Sequence, residues 1–144
     1  MLKTAIFLLV FLATTSSAFA TTMTAVCGPF TGNTVGISGS NENHKPLSFE
    51  DSIDGKFTVV WEIGSKNALI IGPGAKPTRE EGIIVVESKD QLSLVVSYPV
   101  SVFLYSIFPA RKTMLITKHT HVRGLELDAA RGFVMHGNCK LDTK

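Results

Sequence analysis

The chain predicts an all-β, mainly antiparallel fold: a small sandwich or barrel of about seven strands with at most one short helix. Three observations carry this. Apolar residues recur at period two in short stretches, and Gly-, Pro- and Asn-rich turns separate those stretches. No strand is followed by an amphipathic helix, as a parallel sheet would require. Two cysteines, Cys27 and Cys139, stand 112 positions apart near opposite ends, which predicts termini joined by one disulfide.

The elements follow in order. Lys3, the apolar run Ala5 to Ala13 and the Ala18-Phe19-Ala20 site read as a signal peptide cut after Ala20. The mature portion, 21–144, is long enough for one domain with its own core. From Cys27 to Gly55 the glycines and asparagines predict irregular structure with one short strand around Asn33 to Ser38. Phe57, Val59, Trp61 and Ile63 alternate with Thr58, Val60 and Glu62, a half-buried strand on which Trp61 anchors the core. The Gly64–Asn67 stretch is a hairpin turn into a strand over Ala68 to Ile71. Gly72 to Gly82 (GPGAKPTREEG) is a loop outside the core, and Ile83 to Glu87 a strand.

Gln91 to Ala110 holds no charge over twenty residues, enough to span a bilayer as a helix. Its β-branched residues, serines and Pro99 instead predict strand, with Pro99 splitting the tract in two or marking an edge bulge, and one apolar face on the even positions from Leu92 to Phe108. The odd-numbered Phe103, Tyr105 and Ile107 pack in the core or line a cavity. Thr113 to His121 is a strand with Met114 and Ile116 on one face, Gly124 to Arg131 a turn or two of helix, and Phe133 to His136 the last strand.

Composition narrows the function classes. Against 14 Lys and Arg stand 12 Asp and Glu, and Lys3 leaves with the signal peptide, so the mature domain is almost neutral. Without a basic cluster it has no electrostatic footprint for nucleic acid or an anionic membrane surface. Export to the periplasm or beyond the cell suits the disulfide. No Gly-x-Ser-x-Gly elbow and no phosphate-cradling glycine loop is present, so no residue is assigned a catalytic role.

Two groups of candidate site residues remain. His119 and His121 leave the same face of a strand, and His136 on the last strand could lie alongside; with Glu126 or Asp128 they would suit zinc or copper. His119-Thr-His121 with Glu126 and Gly132 resembles part of the first metal motif of cupins over some fourteen residues. That resemblance implies a jelly-roll barrel, though Thr113 stands where the motif has its leading glycine and the glutamate-to-glycine spacing is one residue short. The second group is the loop at 72–82, with Lys76, Arg79, Glu80 and Glu81, a recognition element on a rigid scaffold. The sequence therefore predicts an exported, non-catalytic binding module for a protein or small-molecule ligand. The alternative is a metal-binding protein or metalloenzyme using the His-x-His strand.

Overall fold

A computed structural model describes residues 21–37, 46–120 and 131–143. The signal-peptide segment, the short helix expected before Arg131, His121, Glu126 and Asp128 lie outside the described residues. Among the described residues nine strands form one antiparallel sheet: β1 (Thr22–Ile37), β2 (Pro46–Ile53), β3 (Phe57–Glu62), β4 (Asn67–Ile71), β5 (Arg79–Glu87), β6 (Leu92–Tyr98), β7 (Ser101–Phe108), β8 (Thr113–Thr120) and β9 (Arg131–Thr143). From β3 to β9 each strand pairs with the next. β9 then pairs with β1 and β1 with β3, closing an eight-stranded barrel. β2 lies outside the ring, paired to the second half of β1. A single 3-10 turn (Pro109–Arg111) joins β7 to β8.

This is an up-and-down meander. A cupin is a jelly roll of two Greek keys, so the metal-motif resemblance does not extend to the topology. Pairing of consecutive strands also settles the uncharged tract as β6 and β7, joined through Pro99 and Val100. Among the described residues no helix is long and apolar enough to cross a membrane.

The core fills the barrel. Phe30, Val59, Ile70, Leu94, Ile107, Met114, Ile116 and Met135 are buried, contributed by seven strands, and each buried aliphatic side chain contributes about 1.5–3 kcal/mol of transfer free energy. Outward positions mix Glu62, Glu81, His136 and Lys140 with the exposed Val35, Leu69, Ile83, Leu104 and Val134, so the inner face is the more consistently apolar one. Trp61 is 5% exposed, as expected of an anchor. Of the three odd-numbered residues, Tyr105 and Ile107 pack in the core, while Phe103 is half-buried against it.

Four expectations are corrected. The single even-numbered apolar face does not survive the Pro99–Val100 turn, because Tyr98 pairs with Ser101 and the inward positions on β7 become odd. Gly72 to Gly82 is a loop only as far as Thr78: Arg79 to Gly82 pair with Ala68 to Ile71, and Gly82 is buried where a Cβ would meet Ile70, Leu94 and Val96. The region 27–55 is largely sheet, and the last strand extends through Thr143. Gly28 (φ +121°), followed by a cis peptide bond to Pro29, makes a bulge inside β1, across which the pairing with β9 shifts between Cys27 and Phe30.

The disulfide lies in the closing seam. Cys27 and Cys139 are direct partners in the β1–β9 register, with Cα atoms 4.0 Å apart.

Candidate functional site at the ends of the barrel

The strand directions divide the barrel into two ends. At the lower end lie Thr21, Thr143 and the turns β3–β4, β5–β6 and β7–β8. At the upper end lie the Gly72–Thr78 loop, the Pro99–Val100 turn, and the ends of β1 and β8.

The lower end carries a cavity of about 480 Å³ lined by Met23, Trp61, Ile63, Gly64, Glu87, Ser88, Lys89, Leu92 and Pro109. Its floor is Trp61 and Leu92, the lower ends of two inward-facing apolar rows. Two tight turns build its rim. Glu62 O accepts from Ser65 N (3.0 Å), and the Glu87 carboxylate accepts from Gly64 N (2.9 Å), tying the β3–β4 turn to β5. Ser88 Oγ accepts from the amides of Asp90 (3.2 Å) and Gln91 (3.1 Å), an ST-turn that fixes the β5–β6 connection. Ile63 is 58% exposed because β3 ends at Glu62 and its side chain stands on the rim. A neighbouring cavity of about 450 Å³ shares Met23 and Pro109 and adds Lys112, Lys140 and Leu141. Both volumes fall in the range of about 300–1,000 Å³ usual for small-molecule sites, which often occupy barrel mouths.

At the upper end one row of inward positions runs from Val96 through Phe103, Lys118, Phe133 and Thr34 to Phe49. Here the interior is incompletely filled: Phe103, Phe133 and Tyr98 are only half-buried, and Phe49 is exposed. Phe103 stacks with Tyr105 (centroids 5.9 Å) and meets Tyr98 and Phe133 edge-on at 5.6 and 6.0 Å. The Lys118 ammonium lies 4.8 Å from the Phe103 ring centroid and 6.0 Å from that of Phe133. Across the mouth, burial and then the Glu80 carboxylate push the Tyr98 phenol up to about 12. Burial, followed by the charge of Glu80, raises Tyr105 further still. A carboxylate facing two phenols in a half-dry site favours their protonated forms.

The residues singled out from sequence are distributed as follows. His119 and His136 both face outward, on β8 and β9. His119 pairs with Gly132 and His136 with Leu115, four positions along, which is about 13 Å at the usual strand rise. The barrel does not bring these two imidazoles together, and His121 lies outside the described residues. Among the described residues no group of three or more His, Cys, Asp or Glu is placed to hold a metal. Lys76 is exposed in the Gly72–Thr78 loop, which Gly72 N closes by donating to Thr78 O (2.9 Å). Arg79, Glu80 and Glu81 belong to β5: Glu80 turns inward toward Tyr98, while Glu81 faces out and accepts from Asn67 Nδ2 (2.6 Å).

Sequence reasoning missed both ends as sites. The lower cavity is assembled from strand ends and turns distant in sequence, which no local pattern reveals. Lys118 did carry a signal: it shares parity with Met114 and Ile116, placing a charge on an inward row. No protein-family model matches the chain, and no similar protein is found among curated proteins or solved structures.

Proposed function

We propose that the protein is a non-catalytic binding barrel that works in the periplasm or outside the cell and seats a compact apolar group in its lower cavity. The observation that carries this reading is the 480 Å³ cavity floored by Trp61 and Leu92 and rimmed by turns already locked by their own hydrogen bonds. A preformed apolar cavity binds with little ordering cost, because the groups that line it are fixed before the ligand arrives. The lining also favours holding over transforming: its one hydroxyl, on Ser88, accepts from two turn amides. The disulfide suits an oxidising compartment.

Trp61 is the only tryptophan, so occupancy of the cavity has a built-in reporter. Titration with N-phenyl-1-naphthylamine, an uncharged apolar probe, should quench Trp61 emission by energy transfer with saturation at one equivalent. Ile63→Arg places a charge on the rim at a position already exposed. It should weaken the probe at least tenfold, about 1.4 kcal/mol, while leaving the urea midpoint unchanged. Absence of saturable binding, or equal affinity in the variant, would remove the lower cavity as the site.

A further inference from the structure

Taking the lower cavity as the binding site, on which this inference rests, we propose that its ligand is an apolar-chain carboxylate. The chain lies under Trp61 and Leu92, and the carboxylate lies in the adjoining gap between the β7–β8 turn and the lower edge of β9. The two cavities, of about 480 and 450 Å³, adjoin because Met23 and Pro109 line both. That shared wall is held in place: Thr143 Oγ1 donates to Met23 Sδ (3.5 Å), and Pro109 opens the 3-10 turn. On one side of it stand Trp61, Ile63 and Leu92; on the other stand Lys112, Lys140 and Asp142.

The gap arises because β8 is shorter than its neighbour. β8 begins at Thr113, opposite Asn138, whereas β9 continues along β1 to Thr143. Cys139 N donates to Lys112 O (2.7 Å), so Cys139 directs its amide toward the β8 side. Residues two apart on a strand direct their backbone groups the same way. Leu141 therefore turns its N–H and C=O into the gap, where among the described residues no strand faces it.

Lys112 points to the same chemistry. Among the described residues it is the one non-glycine residue at positive φ (φ 50°), a conformation that glycine adopts without strain. Its backbone is tied on both sides, through Pro109 O (3.1 Å) and Cys139 N, so the turn requires the left-handed conformation and not a lysine. Its side chain instead lines the gap beside Lys140. Across both cavities Lys89, Lys112 and Lys140 stand with Glu87 and Asp142, and Glu87 accepts from Gly64 N (2.9 Å). A carboxylate between Lys112, Lys140 and the Leu141 amide gains charge-assisted hydrogen bonds that a neutral head group cannot match.

Decanoate, decanol and decyltrimethylammonium share one chain and differ in the head, so they separate the two parts of the ligand. Below their micelle-forming concentrations each is titrated against the N-phenyl-1-naphthylamine complex, with Trp61 as reporter. Decanoate should displace the probe about tenfold more tightly than decanol, and the ammonium should be the weakest. Lys112→Gly removes the cation and relieves the backbone. It should erase most of the advantage of decanoate, leave decanol unchanged, and keep or raise the urea midpoint, which a damaged fold would not do. Lys112→Arg should retain decanoate, and Lys140→Gln should weaken it. Lys66→Gln, exposed at the same end but lining neither cavity, should change nothing and so excludes a general charge effect. Equal displacement by decanoate and decanol while the probe still saturates, or equal decanoate affinity in Lys112→Gly and the wild type, overturns the carboxylate assignment and leaves the cavity standing. Absence of both saturable probe binding and calorimetric binding of decanoate removes the cavity and the assignment together.

Discussion

Tyr98 and Tyr105 are the only tyrosines in the chain, and both face into the barrel, where burial and the Glu80 carboxylate hold their protons on. In the unfolded chain a tyrosine ionises near pH 10. Below that pH both states carry neutral phenols and these groups contribute no pH dependence. Between pH 10 and about 12 the unfolded state loses protons that the native state keeps, so stability must fall as pH rises through this window. Absorbance at 295 nm should therefore show no phenolate step near pH 10 in the native protein, and a full two-tyrosine step there in guanidinium. The urea midpoint should drop above pH 10. A native step at pH 10 would mean that the two phenols are not enclosed as described. Glu80→Gln should lower the native transition of Tyr98, because it removes the nearby negative charge. The inward turn of Glu80 was not legible from a loop-like stretch of charges. Only its pairing opposite Ile70 puts it on the inner face.

At the scale of the element, β1 and β2 show why turn-forming composition misled and where the true signal lay. Gly32 marks a close approach, not a turn: a Cβ there would come within 2.7 Å of Met135 Cα and closer still to Val134 O. Gly137 does the same from β9, where a Cβ would meet Pro29 O at 2.6 Å. Strands that pack this closely need glycine for space, and a composition rule cannot tell that need from a need for positive φ. β2 was in fact legible: Leu47, Phe49 and Ile53 alternate with Ser48, Glu50 and Ser52. Asp51 obscured the pattern by placing an acid at an inward position, where Thr34 Oγ1 satisfies it. The period-two reading succeeded for β3, β4 and β8, whose inward positions carry mostly apolar side chains. It failed for β7 because the turn at Pro99 and Val100 exchanges the parities. Gly32→Ala should cost about 2–3 kcal/mol in urea unfolding, the usual range for overpacking a tight contact. Gly36→Ala, with only an ordinary 3.5 Å contact to Arg131 Cγ, should cost well under half of that. Equal costs at the two sites would show that propensity, not close approach, governs these glycines.

At the scale of the whole molecule, the meander leaves one problem that local pairing cannot solve. Strands β3 to β9 can form by adding neighbours, but closure needs β9 to find β1, whose partners lie up to 120 positions away, as Met23 and Thr143 do. Bringing such distant segments together carries the largest loop-closure entropy in the fold. The Cys27–Cys139 bridge sits within that seam and removes most of this cost from the unfolded chain. For a loop of this length the chain-entropy treatment gives about 4–5 kcal/mol, and native disulfides removed from small exported domains typically cost about 2–5 kcal/mol. The Cys27→Ala/Cys139→Ala variant should therefore lose about 2–5 kcal/mol in urea unfolding. Its denaturant slope m should rise, because an unfolded chain without the cross-link exposes more surface. The slope separates two explanations of the same loss. If the bridge acted only through packing in the native barrel, stability would fall with m unchanged. If it acts by restraining the unfolded chain, both quantities must move together, and refolding should slow more than unfolding accelerates whenever the seam forms before the transition state. A loss below about 1 kcal/mol would mean that the extended β1–β9 pairing holds the barrel closed without its covalent tie.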